Sequence, residues 1–339
     1  AVIYRDDLFG PEYTGNLFVA DSVYNVVHRL VLTPQETSFR GERAVDEQQS
    51  EFLGSADPWF RPTTVQTGPD GALWVTDMHR FVIEHPEWTP TSVQTSQNLY
   101  NGSDRGRIYR IVPEASPLPR ARNLRLSQAS DEELVHHLGS SNVWWRRTAQ
   151  RLLVDRKSDA AVVLLTALFR QSTSALGRLH ALWTLEGLNQ LEPALIESAL
   201  SDSEAGVREN AIRLAEPRLK DEPTLAAALL KLEKDPSAKV RFQLLCTLGF
   251  IDTPASRVAQ DQLLLSGLED DWMQIAALSA SSDRAVQYFD MASARRPELT
   301  ATESEARRSF LRKVGAVIGA RQKPAEMQKG LQAAAAHTQ

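Results

Sequence analysis

The chain has few of the residues that usually announce a chemistry. Of its 339 residues, one is cysteine, Cys246. A single thiol excludes an internal disulfide framework, a CxxC metal site and a CxxCH haem attachment. Cys246 lies in an apolar helical run and reads as a small buried side chain. No hydrophobic run approaches the ~18 residues needed to cross a bilayer, so no membrane insertion by this chain is expected. Positive charge is not in excess: 38 Lys and Arg stand against 43 Asp and Glu, a net charge of −5 with a pI near 5.9. Nucleic-acid binding wants a basic face, so no nucleic-acid partner is expected. The chain opens on Ala1, without Met and without a charged-then-apolar leader. It reads as beginning mid-domain, so its first residues carry no targeting information.

What is present is a β-rich first third and a helical remainder. Residues 60–112 organise the first part. Pro69-Asp70-Gly71 is a turn signal, because Pro presets φ and Gly accepts positive φ. Ala72-Leu73-Trp74-Val75-Thr76 follows as a strand rich in aromatic and β-branched residues, and Asp77 ends it. Pro86 and Pro90 then argue for a structured loop. Arg107-Ile108-Tyr109-Arg110-Ile111-Val112 reads as the closing strand.

The same unit occurs earlier. Leu17-Phe18-Val19-Ala20-Asp21 parallels the strand ending at Asp77, and Val27-His28-Arg29-Leu30-Val31 parallels Ile108-Tyr109-Arg110-Ile111-Val112. Residues 1–113 therefore hold about two copies of a strand-turn-strand unit, the pattern of β-propeller blades. A two-sheet sandwich is the competing architecture. Two blades are too few to close a propeller, so further blades are expected before Ala1.

The copies differ in their connections. The second carries a long insertion holding His79, Arg80, Glu84 and His85. Rim loops of propellers carry function, and these residue types suit acid–base, anion or metal work. They read in two ways: as hydrogen-bond partners that fix the loop, or as part of a substrate or cofactor site. In the second reading His85 and His79 are the catalytic candidates, and Arg80 and Glu84 the cofactor-binding ones. The His-x5-His spacing is no specific metal signature, and no metal ligand is assigned. Trp59, Phe60 and Trp88 read as loop-packing anchors, and Asp104-Arg105 as a charge-fixed turn.

Residues 114–127 read as a Pro-containing linker. From residue 128 the chain is helical and repetitive. Ser130 and Glu133 form a capping-box signature, as do Thr300 and Glu303. The motifs Trp145-Arg146-x-x-Ala149, Gly177-Arg178-x-x-Ala181, Val207-Arg208-x-x-Ala211, Val240-Arg241-x-x-Leu244 and Trp272-Met273-x-x-Ala276 end at spacings of 32, 30, 33 and 32. This is the signature of an α-solenoid of HEAT-like, armadillo-type repeats over 128–339. The arginine is expected to bond neighbouring turns, and Met273 to end the ladder. Trp144, Trp145, Trp183, His136, His137 and His180 read as core residues.

FRPTTVQTGPDGALWVTDMHRFVIEHPEWTP, followed by GSDRGRIYRIVPE and helical repeats, resembles a family of membrane-bound dehydrogenase-like proteins abundant in planctomycetes and verrucomicrobia. DMHRFVIEHP is the most specific part. The resemblance implies a propeller, a HEAT-like array and a C-terminal c-type cytochrome domain with CxxCH, which this chain lacks. It implies a periplasmic or secreted oxidoreductase that oxidises a sugar or alcohol and passes electrons to haem. Quinone and calcium are the cofactors that the propeller resemblance implies. Against this stands a non-catalytic binding or scaffold protein, whose propeller and HEAT surfaces hold a protein or polysaccharide partner.

Overall fold

Alternating apolar positions and glycine turns lay down eight short strands in the first third of the chain. They are β1 (Val2–Ile3), β2 (Leu17–Asp21), β3 (Val26–Gln35), β4 (Ser38–Arg43), β5 (Leu53–Gly54), β6 (Pro62–Thr67), β7 (Leu73–Asp77) and β8 (Arg107–Ile111). The computed structural model describes residues 1–96, 99–114, 124–294 and 305–336. The strands form two antiparallel sheets. The first runs β1-β2-β3-β4 with β5 also on β3, and the second runs β6-β7-β8.

The two hairpins share one register. In the first, Asp21 faces Val26, Ala20 faces Val27 and Phe18 faces Arg29. In the second, Asp77 faces Arg107, Thr76 faces Ile108 and Trp74 faces Arg110. The parallel between Arg29 and Arg110 read from the sequence is thus a parallel in pairing. The faces that enter the core differ, however. The first sheet contributes Phe18 and Val27, while the second contributes Leu73 and Val75, backed by Tyr109 and Ile111. Tyr4, Phe60 and Val65 complete this cluster. Each such burial contributes about 1.5–3 kcal/mol.

The helices begin in the same compact unit, which comprises residues 1–34 and 39–184. After the short α1 (Thr91–Ser96) come α2 (Asp131–His137), α3 (Val143–Arg156), α4 (Asp159–Gln171) and α5 (Ala175–Gly187). The capping box at α2 forms as read: Ser130 Oγ accepts from the Glu133 N–H, and the Glu133 carboxylate accepts from the Ser130 N–H. The start of α3 is bonded to the sheet region. Asn142 Nδ2 donates to the Gly68 carbonyl at 2.9 Å, Trp145 Nε1 to that of Pro69 at 2.7 Å, and the Val143 N–H to that of Arg5 at 3.1 Å. Of the linker expected over 114–127, residues 115–123 lie outside the described residues, as do Thr300 and Glu303.

The second unit comprises residues 35–38 and 185–339. It holds α6 (Pro193–Ala199), α7 (Ala205–Ala215), α8 (Pro223–Leu230), α9 (Ala238–Thr247), α10 (Pro254–Ser266), α11 (Asp271–Ala280), α12 (Ala285–Ala294), α13 (Glu305–Arg321) and α14 (Pro324–Ala336). Among the described residues no helix is long and apolar enough to cross a membrane.

The repeated arginine has one job in both units: it reaches back to close the turn before its own helix. Nη1 of Arg146 and Arg178 donates to the carbonyls of Ser140 and Ser172. In the second unit Nη1 of Arg208 and Arg241 donates to those of Asp202 and Asp235. Arg208 also forks onto the Asp235 carboxylate, at 2.7 and 2.8 Å. The run of arginines ends at Met273, as the motif alignment implied, but the bond to the preceding turn does not. Met273 is buried in the core, and Gln274 Nε2 donates to the Leu268 carbonyl at 2.7 Å. The neutral amide one residue on fills the arginine's place. The tryptophans and histidines read as core are mostly half-buried, and His136 is exposed.

Candidate functional site

The long connection between β7 and β8 is anchored by Asp77. Its side chain is buried, and Oδ1 accepts from the N–H groups of Arg61 and His79, both at 2.7 Å. Asp21 plays the same part after β2, accepting from Val23 and Tyr24. The recurring strand-terminal aspartate is therefore a turn-forming device.

His79 turns inward. It has a positive φ of 50°, is buried, and packs its ring 5.5 Å from that of Trp59. Nε2 lies 3.3 Å from Arg107 Nη2. A guanidinium only donates, so Nε2 accepts and the neutral ring carries its proton on Nδ1. That nitrogen stands 3.7 Å from Asp77 Oδ2, and both buried atoms lack a hydrogen-bond partner among the described residues. Arg107 in turn reaches the Tyr109 hydroxyl at 3.2 Å and Asp57 at 3.6 Å. The bond with Tyr109 is the main cause that holds its pKa further up.

The other candidates point elsewhere. Arg80 donates to the Tyr100 carbonyl at 3.1 Å. Glu84 accepts from the neighbouring Ile83 N–H. His85 is exposed; its Nδ1 accepts from the Glu87 N–H at 3.3 Å, and its carbonyl accepts from Thr89. No hydrogen bond or ion pair among the described residues joins His85 to His79, Arg80 or Glu84. The structure therefore spreads the four sequence candidates along the connection instead of gathering them. Among the described residues no three His, Cys, Asp or Glu side chains are placed to hold a metal ion.

Arg61, absent from the sequence candidates, ties the region together. Nε donates to the Arg80 carbonyl, Nη2 to that of Phe81, and Nη1 to those of Ser22 and Val23, at 2.8–3.3 Å. One guanidinium thus joins the β2–β3 turn to the long connection. A lone Arg before Pro62 gave no signal of this. Around the clamp stand exposed apolar side chains: Val23, Tyr24 at 75%, Met78, Phe81 and Tyr100 at 72%. Trp59 packs 5.8 Å from Phe81. Trp88, further along the connection, is 80% exposed and so is no packing anchor. Asp57, Arg80 and Arg107 supply charge beside these rings. Aromatic faces beside fixed polar groups make this an exposed apolar patch of the kind that can take a ligand.

The sequence profile of a domain of unknown function, DUF7133, matches residues 1–115. No curated protein matches the chain.

Proposed function

We propose that this chain is a binding module of an extracytoplasmic protein. In this reading residues 1–113 are two adjacent propeller blades, the helices from residue 128 are a HEAT-like array, and the aromatic surface around Arg61 holds a polysaccharide. The exposed rings carried by the Arg61 clamp are the observation that carries it. A pyranose presents apolar C–H faces that stack on aromatic rings, while its hydroxyls donate to carboxylates such as Asp57 and accept from guanidinium groups such as Arg107. The clamp also fixes the surface in advance, which lowers the ordering cost of binding.

The blade reading is supported by which faces meet. Two sheets of equal register related by a two-fold axis would bring equivalent faces together, as in a symmetric sandwich. Here Phe18 of one hairpin enters the core and its counterpart Trp74 does not, whereas Leu73 and Val75 do. Blades succeeding one another around an axis pack unlike faces in this way.

The test is affinity electrophoresis against soluble polysaccharides, followed by calorimetry with matching oligosaccharides. Tyr24→Ala/Phe81→Ala is expected to weaken binding by about tenfold or more, worth ~1.4 kcal/mol, with little change in melting temperature. A wild-type chain that no polysaccharide retards, or a double variant that binds equally well, overturns the reading.

A second reading is oxidation of a sugar or alcohol at the same surface. The resemblance supports it, as does the buried Asp77–His79 pair with its defined tautomer. The chain's one cysteine provides no CxxCH, and the described residues assemble no calcium-type donor set. No step through quinone, calcium or haem follows from these side chains.

A further inference from the structure

Three other buried or nearly buried arginines hold a carboxylate. Arg29 has Asp46 and Glu47 at 2.7 and 2.9 Å, Arg208 has Asp235 at 2.7 Å, and Arg284 has Asp261 at 2.7 Å. Arg146, 1% exposed, has none. Its Nε donates to His180 Nε2 at 3.3 Å, and its Nη1 to the carbonyls of Ser140 and Ser141. Its Nη2 bonds to no described residue. A buried charge is costly unless paired, so this departure from the pattern calls for a physical reason.

The surroundings add positive charge. Arg5 and Arg147 act on Arg146 electrostatically and, after burial, help bring its pKa down to about 10. Both are exposed, and neither side chain makes an ion pair or hydrogen bond among the described residues. His180 brings no negative charge: Nδ1 pairs with Gln150 Oε1 at 2.7 Å, and burial, with Arg146 beside it, lowers its pKa to about 4. The fourteen-residue α3 presents its N-terminal end here, through the Val143 N–H bond to the Arg5 carbonyl. Asn142 already caps the next N–H groups, so the helix contributes its dipole, not free donors. Asp6 is the carboxylate acting on Arg146 from nearby, but it accepts from the Leu8 N–H, and burial pushes its pKa up.

We propose that Arg146, flanked by Arg5 and Arg147, forms a binding site for a tetrahedral oxyanion, a phosphate or sulfate group, free or as an ester. A guanidinium whose Nη2 bonds to no described residue suits such a ligand, which takes charge-assisted hydrogen bonds from planar donors. Two exposed arginines would supply the remaining charge. The site shares no residue with the aromatic surface and stands or falls independently of it.

The test is thermal unfolding and calorimetry of the full chain with about 10 mM inorganic phosphate or sulfate, against chloride at matched ionic strength. The variant is Arg5→Gln/Arg147→Gln, which alters exposed side chains and keeps Arg146. The wild type is expected to melt a few degrees higher with either oxyanion. The double variant should bind at least about tenfold more weakly. Without oxyanion it should melt no lower than wild type, because like-charge repulsion on Arg146 is relieved. Equal shifts in both proteins would mark a general salt effect and overturn the proposal, as would no heat of binding to the wild type. Phenyl phosphate and phenyl sulfate separate the sources: tighter binding than the inorganic ion identifies an ester, and equal binding a free ion.

Discussion

The β2–β3 and β7–β8 hairpins are the same object at the level of pairing and different objects everywhere else. Both end their first strand on an aspartate that accepts from the N–H two residues on. Both place an arginine opposite the second residue of that strand. Yet Arg29 lies inside, against Asp46, Glu47 and the Tyr13 ring, while Arg110 lies half-exposed against Asp70. The first connection is residues 22–25, and the second is residues 78–106. Register therefore follows from strand pattern and turn chemistry, whereas the role of a paired side chain follows from which face a neighbour covers. Loop length is tolerated because closing a longer loop adds little entropy cost.

The sharpest way to break the parallel is at the two aspartates. Asp77 is buried and satisfies two N–H groups that water reaches poorly, so Asp77→Ala should cost about 3 kcal/mol of unfolding free energy. Asp21 is half-exposed, so Asp21→Ala should cost about 1 kcal/mol. Denaturation by urea measures both, and equal costs would show the buried turn to be no more demanding than the open one.

Acid sharpens the comparison further. The Tyr24 N–H holds the Asp21 carboxyl below its ordinary pKa of 3.8. At Asp70 burial pushes upward, but bonds from Trp74, Arg110 and the Ala72 N–H outweigh it, and the pKa is again lowered from 3.8. Each group binds its proton more weakly when folded. Its contribution is complete above pH 3.8 and is lost as pH falls through the lower folded value. Asp21→Asn and Asp70→Asn should each flatten this acid limb of urea midpoints. An unchanged slope in both would remove these carboxylates from the account.

The smallest effect is expected at His85. It is exposed and held only by its neighbours, so His85→Ala should change stability by less than about 0.5 kcal/mol. A larger loss would mean that the connection is ordered from its outer end and not from Asp77.

Much of the β register was legible in the sequence, because apolar alternation and the Asp endings of Asp21 and Asp77 encode it locally. The helical character of the remainder was legible from its apolar spacing. The place of Gln274 was not: matching by residue type follows the charge, while the fold asks only for a donor to a carbonyl six residues back. Nor was the direction of His79 legible, since a positive φ and a Trp59 contact turn inward a side chain that the sequence offers as an outward acid or base. Arg61 escaped notice because its four partners are main-chain carbonyls, which every sequence supplies.

The bonds from Asn142, Trp145 and Val143 to Gly68, Pro69 and Arg5 bear on where this protein can be divided. Relatedness draws a border near residue 115, but cohesion draws one near Thr184. A polypeptide trimmed to the matched stretch would leave the Pro69 and Arg5 carbonyls without donors and that of Gly68 with the Gly71 N–H alone. The inheritable module and the foldable one are then different lengths of chain, and the first helices travel with the strands as their lid.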